Sequence, residues 1–378
     1  MAISSDGINI VVGAPGVSSN RGAAYVYVRP GQSWFGDSKS VPDATLTDKF
    51  SSTTDRVGSS VAISVDGSTI VAGAPDGNFC GVALVFVRPG GSWSGVTKEV
   101  PNATLFKLGS TFGDGIGYSV AISADGATIV AGAIGVNSNK GAAHVFVKAM
   151  FSDWADDMTP DATLTNASAA AVEYLGRSVA ISADGSTIVA GADGVSGGKG
   201  AAYVYARSGG SWINKSTPDA TLINSSGAAN DFLGSSTAIS GDALTIVAGA
   251  RGVDGAYNNM GAAYVFFQQS NNANLSNLVL SGGTLNPAFA SGTTSYTADV
   301  ANSVASITVT PTASDTNATV RVNGTIVASG SASGAINLNV GANTITIGVT
   351  AQDGVTTRTY TVTVTRANFQ SYLPLIMR

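Results

Sequence analysis

The chain has 378 residues, of which 44% are apolar and only 11% charged, with a formal net charge of −5. That length admits two or more domains and that apolar share admits a packed core. No basic stripe exists for a nucleic-acid partner, and a lone cysteine, Cys80, excludes an intrachain disulfide or a cysteine zinc site.

One histidine, His144, leaves no imidazole set for a metal. No apolar run approaches the ~20 residues that a membrane helix needs. The first residues, Met1 to Ser4, already stand inside a repeat, so an N-terminal piece, with any signal peptide, is expected to be missing.

Taken in order, the chain repeats itself. Ala-Ile-Ser recurs at Ala2, Ala62, Ala121, Ala180 and Ala238, at intervals of 60, 59, 59 and 58 residues. Each copy holds AIS-x-DG, then TIVAGA, then GAAYVYV, and the first four add P-[DN]-A-T-L at Pro42, Pro101, Pro160 and Pro218. Each piece is short, β-rich and bounded by Gly, Asp, Asn or Pro, which predicts strand. Gly67, Gly126 and Gly185 supply the positive φ of a tight hairpin. Ala243 stands at that place in the fifth copy, so a different turn is expected there.

The period is therefore a four-stranded antiparallel meander, with a thin fifth copy lacking its outer strand. In TIVAGA both faces are small or apolar, so both are meant to be covered. Such units predict an all-β fold, a β-propeller of five four-stranded blades. The tryptophans fall one per copy, at Trp34, Trp93, Trp154 and Trp212, and are expected to be packing pegs.

The motif LGRSVAISADGSTIVAGADG…GAAYVY resembles the FG-GAP repeat of integrin α-subunits and bacterial surface proteins. Its LG lies at Leu175-Gly176 and Leu233-Gly234, and its GAP at Gly13 to Pro15 and Gly73 to Pro75. The resemblance covers residues 1–269 and implies an extracellular binding or adhesion role. In integrins it also implies calcium, but S-x-D-G offers one carboxylate per copy (Asp6, Asp66, Asp125, Asp184), and calcium needs six to eight oxygens. These aspartates are read as turn formers, and no cofactor is expected.

Residues 270–274 are polar and read as a linker. From Leu275 to Arg366 about seven short alternating strands predict a β-sandwich, with hairpin turns at Asn323-Gly324 and Asp353-Gly354. The marks L-x-x-L-x-L-S-x-G at Leu275, NPAF at Asn286, GANTI at Gly341 and Y-x-V-x-V-x-R at Tyr360 resemble the bacterial cadherin-like domain. That resemblance implies a spacer or anchor. The tail 367–378, ending YLPLIMR, reads as a docking strand or a sorting signal.

Little here points to catalysis. His144 stands where sister copies have Tyr25, Leu84, Tyr203 and Tyr264, which is a packing position. Cys80 has no partner base in sight. No P-loop or RGD occurs. Variation concentrates in two loop sets, between strands two and three and between strand four and the next copy. Both are expected on one face, with Arg21, Asp114, Lys140, Lys199, Asp254 and Tyr257 as candidate ligand contacts. The sequence reading is thus a non-enzymatic surface protein that binds a protein or glycan. The other readings are a plain structural spacer and a hydrolase or lyase centred on the funnel.

Overall fold

A computed structural model describes residues 1–31, 33–34, 39–150, 152–254, 260–267 and 269–368. Tyr257 and the tail motif YLPLIMR lie outside them. The chain divides into two bodies, Met1–Gln268 and Gln269–Arg378. Residues 270–274 belong to the second rather than forming a free linker. The Ser270 amide donates to Gln352, Arg358 bonds Asn274, and Ala273 is buried in the second core.

In the N-terminal body every repeat is its own antiparallel sheet. Repeat 3 shows the pattern: Ile116–Ile122, Thr128–Ala133, Ala142–Val147 and Ala162–Leu164 pair in chain order. Repeats 2 and 4 match it, and repeat 5 stops at three strands, Leu233–Ile239, Thr245–Ala250 and Ala262–Phe267. Several four-stranded antiparallel sheets in succession are what propeller blades require. Repeat 1 departs from four strands, because Val96–Lys98 of repeat 2 adds in parallel to its outer strand Ala44–Leu46.

That fifth strand reveals an interlock. The segment ahead of each outer strand runs along the outer edge of the preceding repeat. Leu105 bridges Asp157 and Leu164 bridges Lys215 in the same parallel sense. Exposed strand edges invite unwanted pairing, and here the next repeat covers them. Repeat 5 has no such segment, and the outer strand of repeat 4, Ala220–Leu222, is correspondingly more exposed.

The sheets stack face to face through one repeated interface. Each forward face offers a valine from TIVAGA, an alanine and a valine from GAAYV, and the Ala and Leu of ATL. Each rear face answers with the Ile and Ala of TIVAGA and an aromatic, such as Phe86, Phe146 or Tyr205. Glycines meet backbone to backbone at the centre of this contact. A Cβ on Gly132 would lie 2.1 Å from the Gly176 carbonyl, and one on Gly191 would lie 2.0 Å from that of Gly234. The L-G and G-A glycines are thus each other's reason.

The tryptophans are the pegs expected. Trp93, Trp154 and Trp212 are buried against the preceding repeat. Their indole N–H groups donate to Gly67, Gly126 and Gly185, the turn glycines of their own repeats, at 2.8, 3.1 and 3.0 Å. Repeat 5 has neither the tryptophan nor the glycine. A cavity of about 270 Å³ lies there instead, lined by Val204, Ala220, Leu222, Ile246 and Phe266.

Contrary to expectation, the turn at Ala243 does not differ. Ala243 takes φ 63°, against 67° at Gly67 and 67° at Gly185. Its flanking Ser240 and Asp242 make the same bonds as their sisters, and these hold an alanine in a region that favours glycine.

The C-terminal body is a β-sandwich. A five-stranded sheet contains the long hairpin Gly341–Thr350 and Thr357–Arg366, with Ser295–Val300 added in parallel and Thr319–Val322 antiparallel. Leu275–Leu280 pairs with Val309–Ala313. Their inward residues, among them Tyr296, Ile345, Ile347, Tyr360 and Val362, form one core. The Tyr360 hydroxyl ties down the first strand, accepting from the Leu275 amide at 3.0 Å and donating to the Ser291 carbonyl at 3.1 Å. Asn323 and Gly324 form the expected two-residue hairpin between Val322 and Thr325.

Candidate functional site: the loop-rich end of the repeats

The two variable loop sets do share one end of the N-terminal body, because backbone bonds zip them together. Arg56 and Val57 amides donate to Asn20 and Arg21 carbonyls, Tyr174 and Leu175 to Asn139 and Lys140, and Phe232 and Leu233 to Gly198 and Lys199. The short loops curl in a left-handed sense. Ser18, Ser19 and Asn20 have φ 51°, 60° and 66°, and Asn137, Ser138 and Asn139 have 51°, 60° and 63°. Consecutive left-handed residues cost energy, and they persist where surrounding structure enforces them.

At the other end sit the S-x-D-G turns. Ser4 donates to Asp6, Ser182 to Asp184, and each aspartate also accepts a backbone amide two residues on. The serine hydroxyls hold the Asp6 and Asp184 carboxyls below the usual carboxylate range. These acids are turn hardware. Among the described residues no group of three or more His, Cys, Asp or Glu side chains comes together to hold a metal.

Of the candidates from sequence, Arg21 and Lys199 are exposed and Lys140 is half-buried, all at the last position of the same loop. None of the three forms an ion pair among the described residues. Asp254 is exposed in the fifth copy of that loop.

Asp114 is different. It is buried and accepts from the Thr111 amide and hydroxyl at 2.8 and 2.9 Å. Asp55, Glu173 and Asp231 receive the matching amide in their own loops. Asp114 is therefore a loop clamp, not a free ligand contact.

His144 is buried against Thr163, with Nδ1 and the Thr163 hydroxyl 3.1 Å apart. Burial, helped by the nearby Lys107 and opposed by Asp114, depresses its pKa to about 4. The ring is neutral at pH 7. Its Nε2 has no hydrogen-bond partner, and the residue lines a cavity of about 240 Å³ together with Lys107, Asp114 and Thr165. In repeat 4 the same place is filled by Tyr203, whose hydroxyl reaches Glu173 at 3.3 Å. An unsatisfied buried polar atom costs about 1–3 kcal/mol. His144→Tyr is expected to stabilise the chain by about 1 kcal/mol, read as a higher midpoint in thermal unfolding. A lower midpoint would show that the cavity is not a vacated phenol site. Cys80 is half-buried, and burial with the nearby Asp114 raises its pKa, so it is a poor nucleophile.

Sequence reasoning missed two groups. Phe50, Leu108, Phe112 and Val172 are large, exposed apolar residues, all on the long loops at this end. A charged ladder also crosses repeats 3 to 5. Arg177 lies over the Tyr118 ring and pairs with Asp193 at 3.3 Å, which pairs with Arg251 at 3.4 Å, which lies over Phe232. Burial raises the Asp193 carboxyl and outweighs both arginines. The signal was present as departures from G-A-P: Asp193 and Arg251 occupy the proline position of Pro15 and Pro75.

A pocket of about 460 Å³ lies in the sandwich around Val322–Ile336 and is lined by no titratable side chain.

Comparison with known proteins agrees with this architecture. The family described as FG-GAP repeat matches residues 217–266, and the cadherin-like β-sandwich domain matches 275–367. A protein of Evansella cellulosilytica carrying the name "Putative membrane protein" is 50% identical over 97 residues, 26% of this chain and 14% of that protein. The match thus spans about one seventh of that relative's length. The hydrazine synthase of Kuenenia stuttgartiensis aligns over 93% of this chain and 76% of its own, at 11% identity and a TM-score of 0.40. At that level neither fold nor function is inferred from it. No helix among the described residues is long and apolar enough to cross a membrane. The chain carries an FG-GAP repeat followed by a cadherin-like β-sandwich domain.

Proposed function

We propose that this is a non-enzymatic extracellular or cell-surface binding protein. Its five repeats act as blades of a propeller that presents a ligand face, and its sandwich serves as spacer or anchor. The observation that carries the reading is the loop-rich end. There the long loops, pinned by buried acids, hold Phe50, Leu108, Phe112 and Val172 out to solvent. Exposed apolar residues held on loops over a rigid frame are where binding residues are disproportionately found. Arg21, Lys140 and Lys199 add cationic contacts on the neighbouring short loops, so a protein or glycan with acidic groups fits best. The membrane-protein name of the relative and the low charge content support a surface setting.

The test is a triple variant, Phe50→Ser, Phe112→Ser and Val172→Ser, screened against a glycan array and a panel of purified cell-envelope proteins. Ligands of the parent protein are expected to bind at least about tenfold more weakly, since losing such contacts costs more than 1 kcal/mol. Unchanged binding by the triple variant would place the ligand face elsewhere.

A further inference from the structure

Repeat 3 differs from its neighbours at two positions that share one cavity. Repeats 4 and 5 each carry a tyrosine on the third strand, Tyr203 or Tyr264, and an asparagine on the loop leading into the repeat, Asn166 or Asn224. The two belong together. The Asn224 amide donates to the Tyr264 hydroxyl at 2.9 Å, and the Tyr203 hydroxyl bonds Asn166 and, at 3.3 Å, Glu173. Repeat 2 has a buried leucine at the strand position, Leu84. In repeat 3 the pair is His144 and Lys107. Histidine is shorter than tyrosine, and the cavity of about 240 Å³ lies beside it.

That cavity is lined for polar contact. His144 is 1% exposed, its Nδ1 is engaged by the Thr163 hydroxyl, and its Nε2 has no hydrogen-bond partner. A neutral ring held at one nitrogen keeps one donor or one acceptor at the other, whichever tautomer Thr163 selects. Buried polar groups are paired as a rule, so an orphan in a cavity wall calls for an occupant. Lys107 forms no ion pair among the described residues. The Asp114 carboxylate accepts two bonds from Thr111 and has lone pairs to spare. One cation and one anion balance, so the lining favours a neutral guest whose groups both donate and accept, which is what hydroxyls do. Thr111 and Asn137, also in the lining, are exposed, so the cavity has a mouth at the loop-rich end. Sites for drug-sized ligands run from about 300 Å³ upward, and this smaller one suits a single ring.

We propose that the repeat 3 cavity binds one neutral sugar ring, as a free hexose or as the end unit of a glycan. Its hydroxyls accept from the Lys107 ammonium, donate to the Asp114 carboxylate and meet the unused His144 Nε2 in the sense its tautomer requires. Such a subsite rests on the reading of this end as a binding face, but its lining includes none of Phe50, Phe112 and Val172.

His144 is the one histidine of the chain, so in a tag-free protein its ring C–H signals report on this cavity alone. Glucose, galactose, mannose and their methyl glycosides are titrated to about 50 mM while those signals are followed by NMR, with saturation transfer to the sugar as a second readout. At least one sugar is expected to shift the histidine signals saturably. Lys107→Asn and His144→Tyr each write the residue of repeat 4 into repeat 3, which spares the fold. Lys107→Asn is expected to weaken binding at least about tenfold, and His144→Tyr to abolish saturation transfer by filling the cavity. Equal affinity for a hexose and its methyl glycoside supports a glycan end, and loss on methylation supports a free sugar. Histidine signals that no sugar moves overturn the subsite and leave the cavity to water, as does binding undiminished in either variant. Silent histidine signals together with weakened array binding by the Phe50, Phe112 and Val172 triple variant would sink the subsite and keep the face. A saturable histidine shift with array binding unchanged in that triple variant would keep the subsite and sink the apolar face.

Discussion

Replacing Gly176 by alanine is expected to cost about 2–5 kcal/mol and to separate repeats 3 and 4. The glycine has φ 89°, a conformation that costs an L-residue about 1–2 kcal/mol. Its new Cβ would also lie 2.4 Å from the Ala142 carbonyl and 3.0 Å from the Gly132 Cα, all backbone and so unable to swing aside. Forcing volume into such a contact adds about 1–3 kcal/mol. Gly354→Ala is the control. It shares a positive φ, 70°, but has nothing within 4 Å of its Cβ, so it should lose only about 1 kcal/mol. Denaturant unfolding of both variants decides the matter. Equal losses would mean that the backbone contact between repeats contributes nothing.

The second large effect is expected at Trp93. The Trp93→Ala variant should lose about 3–5 kcal/mol, the range for removing a buried aromatic. Both the packing against Val26, Ala44 and Leu46 and the bond to the Gly67 carbonyl disappear. Trp34→Ala removes the same bond, to Gly7 at 2.8 Å, from a half-buried indole at the end of the stack, and should cost less than half as much. Comparing their midpoints in urea separates the indole's hydrogen bond from its burial between repeats. Similar losses would show that neighbour packing is not what these residues provide.

Much of the fold was legible because the repeat writes the same interface several times. Period, strand order, the pegs and the change of domain all follow from residues that recur, and recurrence averages away local ambiguity. The parallel strand Val96–Lys98 was not legible. Its residues, Val-Thr-Lys, show no alternation of their own, and it exists only because a neighbouring edge awaits it. The turn at Ala243 was misread because propensity forbade what Ser240 and Asp242 enforce.

The candidate site was less legible still. Arg21, Lys140 and Lys199 stood out by position, but Asp114 looked like a ligand group and is a clamp. Nothing in FKLGSTFG tells Phe112, which is exposed, from Phe106, which packs against a core. The loop clamps Asp55, Asp114, Glu173 and Asp231 recur, but Phe50, Leu108, Phe112 and Val172 share no one loop position. Their side chains are placed by tertiary contacts that sequence alone does not encode.

The interlocking outer strands also bear on synthesis. Thr45 finds its parallel partner in Thr97, so the outer edge of repeat 1 is sealed only when roughly one more repeat has left the ribosome. Repeats 2 and 3 wait in the same way for Asp157 and Lys215. During translation the growing chain therefore always trails one unsealed edge, and that edge moves forward as each new repeat closes the one before it. The nascent protein matures in a fixed direction, one repeat in arrears.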